Sequence, residues 1–319
     1  VENVKRVAAG TAIWMKDHNA DQVVIGHDAR FGGELFAHTT TRVMGAYGMK
    51  VKLAKDFVST PMVSLGVVKT GSDLGVVITA SHNPPSYNGF KLKSKVGGPM
   101  IPAQVAEVES HIPVTFDKDL PTLQEMEAQG LLEYVDLEQI YVDHVADSFD
   151  LESIRNADFK IAYDAMYGAG QNALRRLLPD AVLLHCDYNP SFMGQAPEPI
   201  HRNLGELSEL IKNDPSIGLG IANDGDADRI GMYDEEGAFV DSHHILLLLL
   251  YYMYEHKKQQ GKVVITFSVT DKMKQLAEQY GLECEVTKIG FKYIAEIMAE
   301  EEVIVGGEES GGLAVSGHI

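Results

Sequence analysis

Apolar strand-like runs alternate with helical periodicity from one end of the chain to the other, and this alternation constrains the fold most. QVVIGHD (22–28), KVKLAKD (50–56) and LGVVITA (74–80) are separated by segments with helical spacing at 36–47 and 60–69. FKIAYDA (159–165) leads through GAGQNALRRLL to AVLLHCD (181–187), and GLGIAND (218–224) and RIGMYDEE (229–236) flank a tight acidic loop. KVVITFSV (262–269), a helix from 271, a strand at 283–287, a helix from 290 and VIVGGEES (303–310) repeat the pattern. Strands alternating with helices are the signature of βαβ units and a mainly parallel sheet. The expected fold class is therefore α/β, with repeated mixed-sheet α/β domains. Boundaries are expected near 150 and 257, giving units 1–150, 151–256 and an incomplete 257–319. The acidic, mostly helical stretch 103–150 is read as a bridge between the first two units.

A length of 319 residues supports two or three domains. The net charge of −19 argues against nucleic acid or an anionic membrane surface as partner, since both favour a basic face. An anionic ligand must meet a local basic patch instead. Two cysteines, Cys186 and Cys284, make no disulfide framework and fit a reducing, cytoplasmic setting. The first residues do not read as a signal peptide. The apolar run 245–254 is too short to cross a bilayer and reads as a buried helix. The chain opens directly into an amphipathic helix and ends without one to close its last strand, so it reads as a piece of something longer.

TASHNPPSYNGFK (79–91) places Ser81 at the carboxyl end of a buried strand, the edge where open α/β sheets bind ligands. Pro84 and Pro85 stiffen the turn. Asn88-Gly89 makes a second turn, after which Lys91, Lys93 and Lys95 alternate onto one face of an outgoing strand. A lone serine at such a place commonly caps a turn. A serine-hydrolase reading with His82 as base lacks the G-x-S-x-G elbow. It also fails because neighbouring side chains on an extended segment face opposite ways.

IANDGDADRIG (221–231) carries Asp224, Asp226 and Asp228 at alternate positions, in a loop expected to turn at Gly225. Converging carboxylates repel unless a divalent cation joins them, and hard oxygen donors suit Mg²⁺ or Ca²⁺. A solvated acidic turn is the plain alternative. An EF-hand is disfavoured by Arg229 at its sixth position, where glycine is needed, and by the flanking strands. Arg229 beside the aspartates suggests that phosphate binds with the metal.

GAGQNA (168–173) matches a G-x-G-x-x-A dinucleotide fingerprint, with Asp187 placed as a ribose-binding acid. The glycines do not follow their strand directly, and close helix–sheet packing explains them as well. In GGEESGG (306–312), Glu308 and Ser310 face one way if the segment is extended, a pairing that suits sugar hydroxyls.

The serine, aspartate and GEES loops occur in this order, each at the end of a strand. Together with GHDAR (26–30) and KIGFKYI (288–294) they resemble the α-D-phosphohexomutase superfamily, in particular its phosphoglucomutase/phosphomannomutase branch. The resemblance implies four domains around a central cleft and reversible phosphate transfer between the 1- and 6-positions of a hexose. It implies a phosphoserine at Ser81 and a hexose 1,6-bisphosphate intermediate and activator. Asp224, Asp226 and Asp228 would hold Mg²⁺ together with a phosphoserine oxygen. Arg30 and Arg229 would steady the phosphoryl group, with His82 and Lys91 beside it. Lys91 is the candidate general acid/base, expected to lose its proton readily among cations. Glu308, Ser310 and Gly290 would contact the sugar.

The same resemblance implies a further N-terminal segment, the rest of the third domain and a fourth domain that grips the non-reacting phosphate. Without them, poor turnover is expected, because remote binding energy orients the reacting end. The choice among glucose, mannose and glucosamine phosphates stays open, as does the oligomeric state. A non-catalytic sugar-phosphate-binding relative and a dinucleotide-binding protein are the other readings.

Overall fold

The computed structural model describes residues 1–317. The first sheet contains β1 (Gln22–His27), β2 (Lys50–Ala54), β3 (Leu74–Ile78), β4 (Phe90–Lys93) and β5 (Leu132–Val135), in the order β4-β3-β1-β2-β5. The second contains β6 (Lys160–Asp164), β7 (Val182–Leu184), β8 (Ile217–Asn223), β9 (Ile230–Tyr233) and β10 (Phe239–Val240), in the order β10-β9-β8-β6-β7. The third contains β11 (Lys262–Thr266), β12 (Cys284–Thr287), β13 (Val303–Gly307) and β14 (Leu313–Val315), in the order β12-β11-β13-β14.

One topology is used three times. The first strand of each sheet is central and pairs in parallel with the second and third, as β1 does with β2 and β3. The fourth strand returns antiparallel on the free side of the third: β4 on β3, β9 on β8, β14 on β13. β3 and β13 are buried at every position, as expected of strands covered by helices on both faces. The turn from third to fourth strand therefore lies at the carboxyl edge in all three sheets. These turns are 79–89, 224–229 and 308–312, the three loops that the sequence singles out.

Two expectations are corrected. Residues 103–150 are more than a helical bridge, because β5 pairs in parallel with β2 and widens the first sheet. Its LEYV segment is short and only partly buried, which hides it among acidic helices. The unit boundary expected at 257 also fails. Helix Ser242–Tyr251 buries Leu246 and Leu250 in one cluster with Val263, Ile265 and Val305, so it covers the third sheet. Asp241 starts that helix by accepting from the N–H of His244 (3.0 Å). The helix Leu137–Ser148 packs on helix Thr60–Thr70 of the first unit through Leu137. Among the described residues no helix is long and apolar enough to cross a membrane.

Candidate active site between the first and second sheets

Ser81 leaves β3 in a left-handed conformation, φ +52°, which costs an L-residue about 1–2 kcal/mol. The loop is thus not extended at the serine, as the sequence reading took it to be. The turn sends the hydroxyl across to the second domain, where Ser81 Oγ donates to Asp224 Oδ2 (2.6 Å). His82 makes no hydrogen bond to it among those of the described residues, and the buried His82 Nδ1 has no partner. Burial, and then the positive charge of Arg229, lower the His82 pKa, so the ring is neutral at pH 7.

The acidic loop turns at Ala227 (φ +52°), not at Gly225. Its backbone closes on Asp224, whose Oδ1 accepts from the N–H groups of Asp228 (3.0 Å) and Arg229 (3.1 Å). Gly225 serves close approach instead: a Cβ there would lie 2.6 Å from the Ser81 carbonyl oxygen. Asp226 Oδ2 accepts from Thr60 Oγ1 (2.6 Å) and Lys91 Nζ (2.7 Å), and Lys91 also reaches Asp228 Oδ2 (3.3 Å). Thr60 begins the helix Thr60–Thr70, which Ser59 caps. Its N–H donates to the Asp226 carbonyl (2.9 Å), so one helix terminus docks the second domain on the first.

One oxygen from each of Asp224, Asp226 and Asp228 lies within 4.8 Å of the others. Asp226 Oδ1 is buried and has no hydrogen-bond partner among the described residues. An unpaired buried carboxylate oxygen is costly, and a hard cation is the partner that suits it. The residues therefore fit a divalent metal. Their protonation tells the same story. Burial, and then the Asp226 and Asp228 charges, push the Asp224 carboxyl well up. Burial and Asp226 also raise Asp228. In Asp226 burial opposes ionisation, but the Lys91 ammonium outweighs it and holds the carboxyl below the usual range.

The lysines depart from expectation. Burial disfavours the Lys91 charge, but Asp226 and Asp228 more than offset this and raise its pKa, so Lys91 is a firmly protonated ammonium and does not lose its proton readily. Lys93 is the lysine whose pKa falls, to about 8, through burial and then the nearby Lys91 charge. Lys95 lies in the turn after β4, exposed, and does not share their face.

Arg30 is also corrected. Its guanidinium pairs with Asp28 (Nε–Oδ2 3.1 Å) and donates to the carbonyls of Ser81, Asn83 (2.8 Å), Pro84 (2.9 Å) and Tyr87 (3.4 Å). With only 2% exposure it holds the backbone of the serine loop and does not face a phosphoryl group. Burial pushes Asp28 up to about 7, against donors from Thr79 and Arg30 that favour its charge.

The third loop is a turn, not an extended segment: Glu308 N–H donates to the Gly312 carbonyl (3.0 Å). The turn still joins Glu308 and Ser310, through Ser310 Oγ to Glu308 Oε1 (2.7 Å), while Gly290 N–H donates to Glu308 Oε2 (3.2 Å). Glu309 points elsewhere and accepts from Thr266 (3.2 Å) and Ser268. Ile230 N–H donates to the Gly311 carbonyl (3.4 Å), and a Cβ on Gly311 would stand 3.6 Å from Arg229 Cβ. Arg229 therefore stands between the acidic loop and the Glu308 turn.

The GAGQNA segment is occupied by the acidic loop. A Cβ at Gly168 would lie 2.7 Å from the Asp224 carbonyl oxygen, one at Gly170 would lie 2.2 Å from Tyr163 Oη, and Ala169 N–H donates to Gly225 O (3.0 Å). That space is where a dinucleotide would need its pyrophosphate, so the fingerprint is a packing device.

Models of the phosphoglucomutase/phosphomannomutase alpha/beta/alpha domains I, II and III match residues 1–117, 139–237 and 241–319. A Thermococcus kodakarensis protein named phosphoglucomutase/phosphomannomutase is 29% identical, covering 96% of this chain and 67% of the relative. A phosphoglucosamine mutase of Methanococcus maripaludis is 32% identical, covering 92% and 65%. A Thermus thermophilus crystal structure, provisionally named as a phosphomannomutase, is 30% identical with a TM-score of 0.92, covering all of this chain and 72% of that one. The chain spans 62 to 67% of the length of the first curated relatives.

Proposed function

The chain belongs to the α-D-phosphohexomutase superfamily, and from that premise we propose that it contributes the phosphoserine and metal site of a hexose 1-phosphate/6-phosphate mutase. The observation that carries the reading is the meeting of the Ser81 hydroxyl with Asp224, beside Asp226 and Asp228. Ser81 is the residue that carries the phosphoryl group. Asp224, Asp226 and Asp228 would hold Mg²⁺, which when bound offsets negative charge at the phosphoryl oxygens.

In the forward half-reaction a free hydroxyl of the hexose phosphate forms a bond to the phosphorus on Ser81 Oγ as the Oγ–P bond breaks. The products are a hexose 1,6-bisphosphate and a serine alkoxide. The proton released by the sugar hydroxyl passes to that alkoxide, while Lys91, kept protonated by Asp226 and Asp228, supplies fixed positive charge beside the reacting oxygens. After the bisphosphate turns round, Ser81 accepts its other phosphoryl group by the reverse steps. Arg229 is the cation for a phosphate bound between the acidic loop and the Glu308 turn. Glu308, with Ser310 and Gly290 fixed on it, accepts from sugar hydroxyls. The two free cysteines are in keeping with a cytoplasmic site of action.

Glucose and mannose phosphates are the proposed substrates. Glucosamine phosphate is the second reading, favoured by the Methanococcus relative, which is named for it. The test is a coupled assay of the full-length protein with glucose, mannose and glucosamine 1-phosphates, each with Mg²⁺ and the matching bisphosphate. Turnover of none of them, with no phosphoryl group on Ser81 by phosphopeptide mapping, would favour a non-catalytic sugar-phosphate-binding relative.

A further inference from the structure

Ser81 is held by a ring of hydrogen bonds that begins and ends on its own backbone. Its N–H donates to Thr79 Oγ1 (2.9 Å), and the Thr79 hydroxyl donates to Asp28 Oδ2 (2.6 Å). Arg30 Nε donates to that same oxygen (3.1 Å), and Arg30 Nη2 donates to the Ser81 carbonyl. Arg30 N–H closes onto Asp28 Oδ1 (3.0 Å). Thr79, Asp28 and Arg30 are all buried, and the guanidinium lies over the Phe192 ring of the second domain, 5.0 Å from its centroid.

The ring has work to do because the conformer it encloses is unfavourable. A non-glycine residue at positive φ persists only where its surroundings over-determine it. Were Ser81 to relax into the β region, it would continue β3 and its Cβ would point to another face. The hydroxyl would then leave Asp224. Arg30 suits the task because its planar fork reaches several carbonyls at once, which the point charge of a lysine does not. Thr79 suits it because one hydroxyl both accepts from Ser81 and donates to Asp28.

We infer that Asp28, Arg30 and Thr79 are positioning residues for the Ser81 hydroxyl: they fix its left-handed backbone so that Oγ meets the metal-binding carboxylates, and they do not touch the sugar. The catalytic half of this inference rests on the proposed phosphoserine role of Ser81, and the conformational half does not.

The test compares Thr79→Val, which keeps the shape and removes the donor and acceptor, with Thr79→Ser, which restores them, in the full chain. Arg30→Lys is the second variant, should the valine protein not fold. Amide hydrogen exchange over 79–90 is read alongside kcat and KM with a hexose 1-phosphate. Thr79→Val is expected to speed exchange at 81–83 and lower kcat, each by about tenfold or more, with KM within about twofold. Thr79→Ser should recover most of both. Exchange at the wild-type rate in Thr79→Val and Arg30→Lys overturns the ring. A loosened loop with wild-type kcat overturns its role in positioning, as does protection lost throughout the first sheet. A full-length protein inactive on every hexose phosphate would refute the mutase reading, while the exchange comparison would still decide whether the ring sets the loop.

Discussion

Ser81 Oγ and Asp224 Oδ2 stand 2.6 Å apart, although 143 residues separate them along the chain. The contact spans two domains and joins a hydroxyl to a carboxylate whose pKa burial has raised. Ser81→Ala is expected to abolish phosphoryl transfer, a fall in kcat on the order of 10³-fold or more. The variant should gain no phosphoryl group by intact mass after incubation with hexose 1,6-bisphosphate, whereas the wild type should. A variant that keeps its activity would remove Ser81 from the mechanism.

Thr60→Val should weaken Mg²⁺ binding. Thr60 Oγ1 is one of two donors on Asp226 Oδ2, and it leaves Oδ1 of the same carboxylate free. Partners that orient a ligand in this way typically contribute about 10–100-fold in metal affinity. Calorimetric titration with Mg²⁺ reads the effect directly. An unchanged affinity would mean that Lys91 alone orients Asp226.

Sequence reasoning reached the class of fold and the three loops because both are local signals. Strand-helix alternation is written in short windows, and polar clusters at strand ends mark the carboxyl edge where ligands bind. It did not reach Thr60, Thr79 or Asp28, whose roles exist only through partners distant in the chain or through the left-handed turn at Ser81. In the sequence, Ser59-Thr60-Pro61 is simply a helix start. The role given to Arg30 failed for a related reason: an arginine near a phosphate loop reads as a phosphate ligand until its donors are found on carbonyls. The apolar run in helix Ser242–Tyr251 declares burial but not against which sheet, and this misplaced the boundary at 257.

Stability should depend on pH through His185. Its Nδ1 lies 2.9 Å from Asp164 Oδ1, and this hydrogen bond raises the imidazole pKa above 6.5. A raised histidine pKa stabilises the fold fully below the unfolded value, near 6.5, and the contribution is lost as pH rises through the folded value. The urea midpoint of wild type minus that of His185→Gln should thus be larger at low than at high pH. A difference that is flat with pH, or that grows with it, would contradict the assigned pair.

Gly225→Ala isolates the apposition of the two loops. Gly225 does not occupy a positive-φ conformation, so alanine adds no backbone strain. The added methyl would instead lie 2.6 Å from the Ser81 carbonyl oxygen and 2.9 Å from Pro197 Cγ. Neither neighbour is a free side-chain end, so the loops must part. Overpacking of this kind costs about 1–3 kcal/mol, and a displacement on the order of 1 Å at the reacting groups costs about 10²-fold in rate. The expected result is a folded protein with a modestly lowered melting temperature, a kcat reduced about 100-fold and weakened retention of phosphate on Ser81. Because residue 225 carries no functional side chain in the wild type, that loss reports the displacement of the acidic loop from its neighbours, the serine loop first among them. Wild-type kcat in the folded variant would mean that their close contact is dispensable.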